Sequence, residues 1–270
     1  MKNKNLLLFI IVIVVVVTGI IFISHRFSKL LGLKEKVYVV SFAHECCVRA
    51  QQNLEKSALM FGCDKVYSLN LDTLDAPENV KKYIRTHKRG AGYWIWKAYA
   101  LKQILTISNP GDIVIYVDAS TYFNKSIETI CTFINKYSIL CFIHNVHQTQ
   151  SMWTKMNAFK YIYPENDSLC ETEGKKVQFM AALCGVKNNQ IGNSFVNMFL
   201  DVLNPDNSAL YDDSPSTLKN CDDFKESRHD QQMLSLILYK YYSDIPFPVY
   251  SKDTYGFVFH EDINGNDRHV

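Results

Sequence analysis

No two of the eight cysteines stand in CxxC spacing, so a structural zinc site lacks its usual ligand pattern. Charge of either sign is not in excess, with 29 basic and 27 acidic residues and a formal net charge of +2. Nucleic-acid binders carry a basic bias, so nucleic acid is not expected as a partner. After residue 36 there is no internal repeat, low-complexity tract or obvious linker. The chain also lacks a dinucleotide fingerprint: Gly90-Ala-Gly92 has no third glycine, and no strand runs directly into it. No second carboxylate cluster accompanies Asp118, which argues against a metal-dependent phosphohydrolase.

One long hydrophobic run is present. Residues 6–24 carry no charge and are almost entirely Leu, Ile, Val and Phe, close to the roughly 20 residues of a membrane-spanning helix. A cleaved signal peptide has a shorter core of about 7–15 residues and a small-x-small site, whereas His25-Arg-Phe-Ser-Lys29 follows here. The expectation is a tail at 1–5, an uncleaved signal-anchor at 6–24, a stem at 25–36 and one domain at 37–270. Lys2 and Lys4 precede the run and Arg26, Lys29, Lys34 and Lys36 follow it, so the positive-inside rule does not orient it. A short tail before the anchor suggests a single-pass membrane protein whose domain is lumenal (Golgi- or ER-like) or external. That domain carries 23 basic and 26 acidic residues, a net of −3.

From residue 36 onward strands and helices alternate, predicting an α/β fold with a mainly parallel sheet flanked by helices. Strands are expected at 37–42, 65–69, 113–117, 138–144, 178–186, 246–250 and 254–259. Helices are expected at 47–61, 77–86, 92–107, 127–136, 152–162, 191–203 and 230–242. The unbroken apolar run at 113–117 reads as a central strand covered on both faces. Cys131, Cys141 and Cys184 lie in apolar surroundings and should pack as small hydrophobes. Cys170 and Cys221 lie in polar sequence and could pair in an oxidising compartment. Asn124-Lys-Ser126 and Asn166-Asp-Ser168 are glycosylation sequons.

Candidate chemistry gathers at three places. Asp118 closes the central strand, where open α/β sheets place ligands, although such a carboxylate can simply cap a turn. Ser120 would share its side if the chain stays extended. Upstream, Arg89-Gly-Ala-Gly-Tyr-Trp-Ile-Trp-Lys97 sets two cations among large aromatics. A lysine buried beside Trp94, Trp96 and Tyr99 needs an anionic partner or a route to water. Gly90 and Gly92 would allow positive φ or a close backbone approach. Third is Ser227-Arg-His-Asp-Gln231, where Ser227 and Asp230 could form a capping box, or Asp230 and Gln231 could present a carboxylate and an amide to a sugar. His260, just after a late strand, is either a surface residue or a second metal ligand.

Arg-Gly-x-Gly-Tyr-Trp-x-Trp-Lys, then Gly-Asp-Ile-x-x-Tyr-x-Asp-Ala, then Arg-His-Asp-Gln, resembles a family of bacterial, viral and eukaryotic glycosyltransferases of the GT-A fold. The resemblance runs from about residue 37 to the C-terminus and takes in Trp153-Thr-Lys155. It implies a hexosyltransferase using a nucleotide-diphosphate sugar donor and a glycan, lipid or protein acceptor. By that resemblance Asp118, with His260, would hold a divalent metal, Mn²⁺ or Mg²⁺. Arg89, Gly90, Tyr93, Trp94, Lys97 and Ser120 would bind the donor, and Asp230 and Gln231 would act at the reacting sugar. The metal motif here has one Asp, with Ser at position 120. That keeps open a second reading, a membrane-anchored GT-A-fold protein that binds sugar or nucleotide without turnover.

Overall fold

The computed structural model describes residues 35–44, 47–144 and 147–259. The expected membrane run and His260 lie outside them. Among the described residues no helix is long and apolar enough to cross a membrane.

The domain from Val37 onward follows the order β1 Val37–Phe42, α1 Val48–Met60, β2 Lys65–Leu69, α2 Glu78–Thr86, α3 Trp96–Ile107, β3 Ile113–Val117, β4 Thr121–Phe123, α4 Glu128–Tyr137 and β5 Ile139–Ile143. Two short helices come next, α5 Gln150–Trp153 and α6 Met156–Ile162. The described residues close with β6 Phe179–Lys187, α7 Gln190–Val202, α8 Asp230–Tyr241, α9 Lys252–Tyr255 and β7 Phe257–Phe259.

The main sheet has the order β2-β1-β3-β6-β5, and β4 pairs with β7 in a separate ribbon. Successive residues of β3 feed opposite faces, as the strand period requires. Val114 and Tyr116 join the core with α3, α7 and α8. Ile113, Ile115 and Val117 join the core with α1 and α4. All five are fully buried, and complete burial of each of the four aliphatic side chains among them contributes about 1.5–3 kcal/mol. The run at 113–117 is therefore the central strand the sequence predicts.

The sheet is mixed rather than mainly parallel by pairing. β1 runs parallel to β2 and β3, but β6 is antiparallel to both β3 and β5. No crossover helix carries the chain back across the sheet after β5. Instead Ile143 at the end of β5 sits opposite Phe179 at the start of β6, so β6 must set out in the reverse sense. Alternation of element types does not reveal this return.

Other expectations change too: the helix expected at 152–162 breaks at Thr154 and Lys155 between α5 and α6, the strand expected at 254–259 keeps only 257–259 because Lys252–Tyr255 is helical, and β4 was not expected. Residues 246–250 form only an isolated bridge, Ile143 with Val249. The helix expected from 92 starts at Trp96, because residues 90–94 all have positive φ, between 47° and 83°. Tyr93 N–H donates to Arg89 O at 2.9 Å and Trp94 N–H to Gly90 O at 3.0 Å, closing one turn of left-handed helix.

Candidate active site

That left-handed turn delivers the first site residue. Its glycines are needed: a Cβ on Gly90 would lie 2.4 Å from the Trp94 ring, and one on Gly92 would lie 3.0 Å from Ile84 Cα. Ala91, Tyr93 and Trp94 adopt the same conformation without that freedom, at about 1–2 kcal/mol each. The indole of Trp96 donates to Gly90 O at 3.1 Å and stacks on Phe42 of β1, ring centroids 4.5 Å apart. Lys97 thereby enters the sheet's carboxyl edge in the first turn of α3.

There the three predicted segments meet. Lys97 Nζ lies 3.2 Å from Asp118 Oδ1 and 2.9 Å from Asp230 Oδ2, and donates to Ala181 O at 3.0 Å. Lys97 and Asp230 are each only 4% exposed, while the Asp118 side chain keeps 24% of its surface. The anionic partner that a lysine among aromatics requires is thus a pair of carboxylates. Tyr116, two residues before Asp118, donates its hydroxyl to Asp118 Oδ1 at 2.6 Å. The Lys97–Asp230 contact is the shorter of the two ion pairs.

Protonation states follow from burial and neighbours. Burial alone would pull the Lys97 ammonium down, but Asp118 and Asp230 outweigh it and hold it above the ordinary lysine range. Burial pushes the Asp230 carboxyl up to about 6, opposed by Lys97 and reinforced by the Asp118 charge. Burial and then Asp118 raise Tyr116 far enough to keep its phenol a donor. The result is a fixed cation between two carboxylates, one of them buried and near its titration range.

Asp230 is not a cap. The residue preceding α8 is His229, and Ser227 Oγ instead donates to Tyr211 O at 3.0 Å while accepting from His229 N at 3.3 Å. The Asp230 side chain is thereby released toward Lys97. His229 has φ 52° and ψ −121°, a backbone state that costs a non-glycine residue about 1–3 kcal/mol. Its imidazole stacks on Trp94 at 5.3 Å and lies 5.1 Å from the Tyr93 ring, with one nitrogen 2.7 Å from Tyr211 O. The two strained segments that present Lys97 and Asp230 therefore lean on each other through rings. His229 escaped the sequence reading because its role depends on a backbone angle and a ring contact, which a motif does not print.

Gln231 is oriented by a chain of amides and a hydroxyl. Its Nε2 donates to Gln178 Oε1 at 2.8 Å, Gln178 Nε2 to Thr154 Oγ1 at 3.0 Å, and Thr154 Oγ1 to Gln150 Oε1 at 3.2 Å. Gln150, Thr154 and Gln178 are fully buried. With Nε2 committed, the Gln231 carbonyl oxygen is left to accept. His144 lies beside it at the end of β5. Burial drives that imidazole down to about 4, with Arg228 adding to the fall and Gln231 opposing it, so it is neutral at physiological pH.

Arg89 is brought elsewhere. It pairs with Asp213 at 2.8 Å and Glu226 at 3.1 Å, all three side chains more than 40% exposed. Ser120 is exposed on a turn, because Thr121 N–H and Oγ1 both donate to Asp118 O. The chain does not stay extended past Asp118, so the expected shared side with Ser120 does not arise. Lys155, from Trp153-Thr-Lys155, is buried and holds the 204–226 loop through Ala209 O at 2.9 Å and Asp212 Oδ1 at 3.0 Å.

Among the described residues no group of three or more His, Cys, Asp or Glu side chains could by itself hold a metal ion. Asp118 still fits as one ligand: it is partly accessible, and hard cations are commonly held by one or two carboxylates with phosphate oxygens and water.

No family model and no curated protein sequence matches the chain. Among solved structures it is similar to the apo form of WbbM, a bifunctional glycosyltransferase, at 10% identity and a TM-score of 0.43 over 82% of this chain and 40% of that one. Mouse xyloside xylosyltransferase 1 gives 10% identity and 0.41 over 81% and 86% of the two chains. A glycosyltransferase involved in glycosylating the major capsid of PBCV-1 gives 12% and 0.41 over 83% and 94%. Likeness at this level carries no activity over to this chain.

Proposed function

We propose that the chain is a glycosyltransferase that moves a hexose from a nucleotide-diphosphate sugar to an acceptor hydroxyl on a glycan, lipid or protein. The observation that carries this reading is the meeting of Lys97, Asp118 and Asp230 at the carboxyl edge of the sheet, one residue from each of the three motifs of the sequence resemblance. Sugar transfer requires stabilising a departing diphosphate and the positive charge that develops on the sugar ring. Lys97 is a permanent cation in a water-poor site, where fixed charges act most strongly. Removing one such interaction typically costs on the order of 3–4 kcal/mol of transition-state stabilisation.

Asp118 would hold a divalent metal, Mn²⁺ or Mg²⁺, which when bound supplies a Lewis acid for the diphosphate. Asp230 would face the sugar as carboxylate, and the Gln231 carbonyl oxygen, fixed by Gln178, would accept from a sugar hydroxyl. Tyr93 and Trp94 reach the site by bracing His229, and Arg89 by tying the 204–226 loop to the turn that precedes Lys97.

The single-carboxylate metal motif favours the second reading, binding without turnover. The full-length protein incubated with labelled nucleotide sugars, with Mn²⁺ or with EDTA, separates the two. Release of nucleoside diphosphate, abolished in Asp118→Ala with the fold retained, supports the transferase. Saturable binding with no release would give the site to the second reading.

A further inference from the structure

Cys141 and Cys184 face each other across β5 and β6 as register partners, with their sulfurs 3.4 Å apart. They are 0% and 3% exposed, on the sheet face covered by α3, α7 and α8. Directly opposed residues of an antiparallel pair have Cα atoms about 4.5–5.5 Å apart, inside the range a disulfide spans. The sulfurs need only approach by about 1.4 Å to reach bonding distance. The same chain already joins Cys170 to Cys221, so its thiols can be oxidised.

The place of this pair in the sheet gives it a consequence. Immediately after Cys141 the register jumps: Phe142 faces Met180, not Leu183. Residues 181–183 of β6 therefore bulge away from β5. Ala181 O accepts from Lys97 Nζ, and Ala182 O accepts from Asp118 N–H at 2.9 Å. The cysteine pair is the last regular step of β5 on β6 before the strand bends off to serve the two site residues.

We propose that Cys141 and Cys184 form a second, cross-strand disulfide that fixes this bulge, independently of what reaction the site performs. The oxidant is a small disulfide of the glutathione class. One thiolate attacks it and releases one thiol as a mixed disulfide forms; the second cysteine, giving up its proton, displaces the other thiol as the Sγ–Sγ bond closes. Two electrons and two protons pass to the oxidant, giving two small thiols. Burial and the Cys184 thiol keep the proton on Cys141 once the strands are packed, so closure belongs to folding, and afterwards the bond is shielded from reductant.

The test is to refold the full-length protein with oxidised glutathione present throughout, alkylate it in denaturant without reduction, and map its peptides by mass spectrometry. The expected result is one cross-linked species joining the Cys141 and Cys184 peptides, absent in Cys141→Val, where Cys184 becomes alkylated. The cross-linked protein should also melt about 5–10 °C above Cys141→Val. Recovery of both cysteines alkylated, or of either joined to another cysteine, overturns the proposal, whatever the state of Cys170 and Cys221.

Discussion

Lys97 shows how much a single side chain can hold together. It neutralises two carboxylates, one fully enclosed, so shortening it strands like charges at the sheet edge. Removing one partner of such a buried group typically costs about 3–5 kcal/mol. Lys97→Met should therefore lower stability by that order in urea denaturation and, under the transferase reading, abolish sugar transfer. Lys97→Arg should not restore activity, because a planar fork does not replace a compact ammonium between two carboxylates. Asp230 makes a separate statement about pH. Its folded carboxyl is raised to about 6 from an ordinary value of 3.8, so it favours the folded state below pH 4 and that contribution fades as pH rises toward 6. The stability of the wild type minus that of Asp230→Asn should fall from pH 4 to pH 7 in thermal melts; a rise over that interval would contradict the raised value. The candidate residues were legible because their types are scarce in such surroundings: a lysine among tryptophans and a lone carboxylate closing an apolar strand. What was not legible was their mutual contact. Sequence reading gave Lys97 to phosphate and Asp118 to metal as separate tasks, whereas the fold ties them into one ion-paired group.

Among the elements, the left-handed turn carries the clearest conformational signature. Ala91 stands at φ 47° without the freedom of glycine, so Ala91→Gly should stabilise the protein by about 1 kcal/mol, read as a rise in the urea midpoint at unchanged slope. Gly90→Ala meets the Trp94 ring as well as the backbone penalty and should do the reverse. The amide chain behind Gln231 makes a different prediction. Thr154→Val preserves shape but leaves Gln178 Nε2 and Gln150 Oε1 unpaired, at about 1–3 kcal/mol each, and lets the Gln231 amide reorient. Under the transferase reading kcat should fall more than the KM for donor rises, in steady-state kinetics of nucleotide release. Helix and strand positions were largely readable from periodicity. The exceptions arise where tertiary contacts override it: residues 92–94 read as the start of the helix that follows, yet the ring stack on His229 and the packing of Gly92 against Ile84 hold them in the opposite hand.

At the scale of the whole molecule, the bond between Cys170 and Cys221, separated by 51 residues, ties the segment after α6 to the loop that supplies the partners of Arg89 and Lys155. By loop entropy its removal in Cys170→Ser/Cys221→Ser should cost about 2–4 kcal/mol, seen as a lower melting temperature. The polar surroundings of the two cysteines left that pairing open as one an oxidising compartment would allow. The mixed character of the sheet was not, since nothing local records on which side a chain re-enters.

That re-entry has a bearing on how such a protein can diversify. The ends of β5 and β6 at Ile143 and Phe179 are next-door neighbours, yet the segment between them is moored again by Lys155 on Asp212, Cys170 on Cys221 and Gln178 on Gln231. Only stretches clear of those moorings can lengthen or change without disturbing the residues beside Asp230.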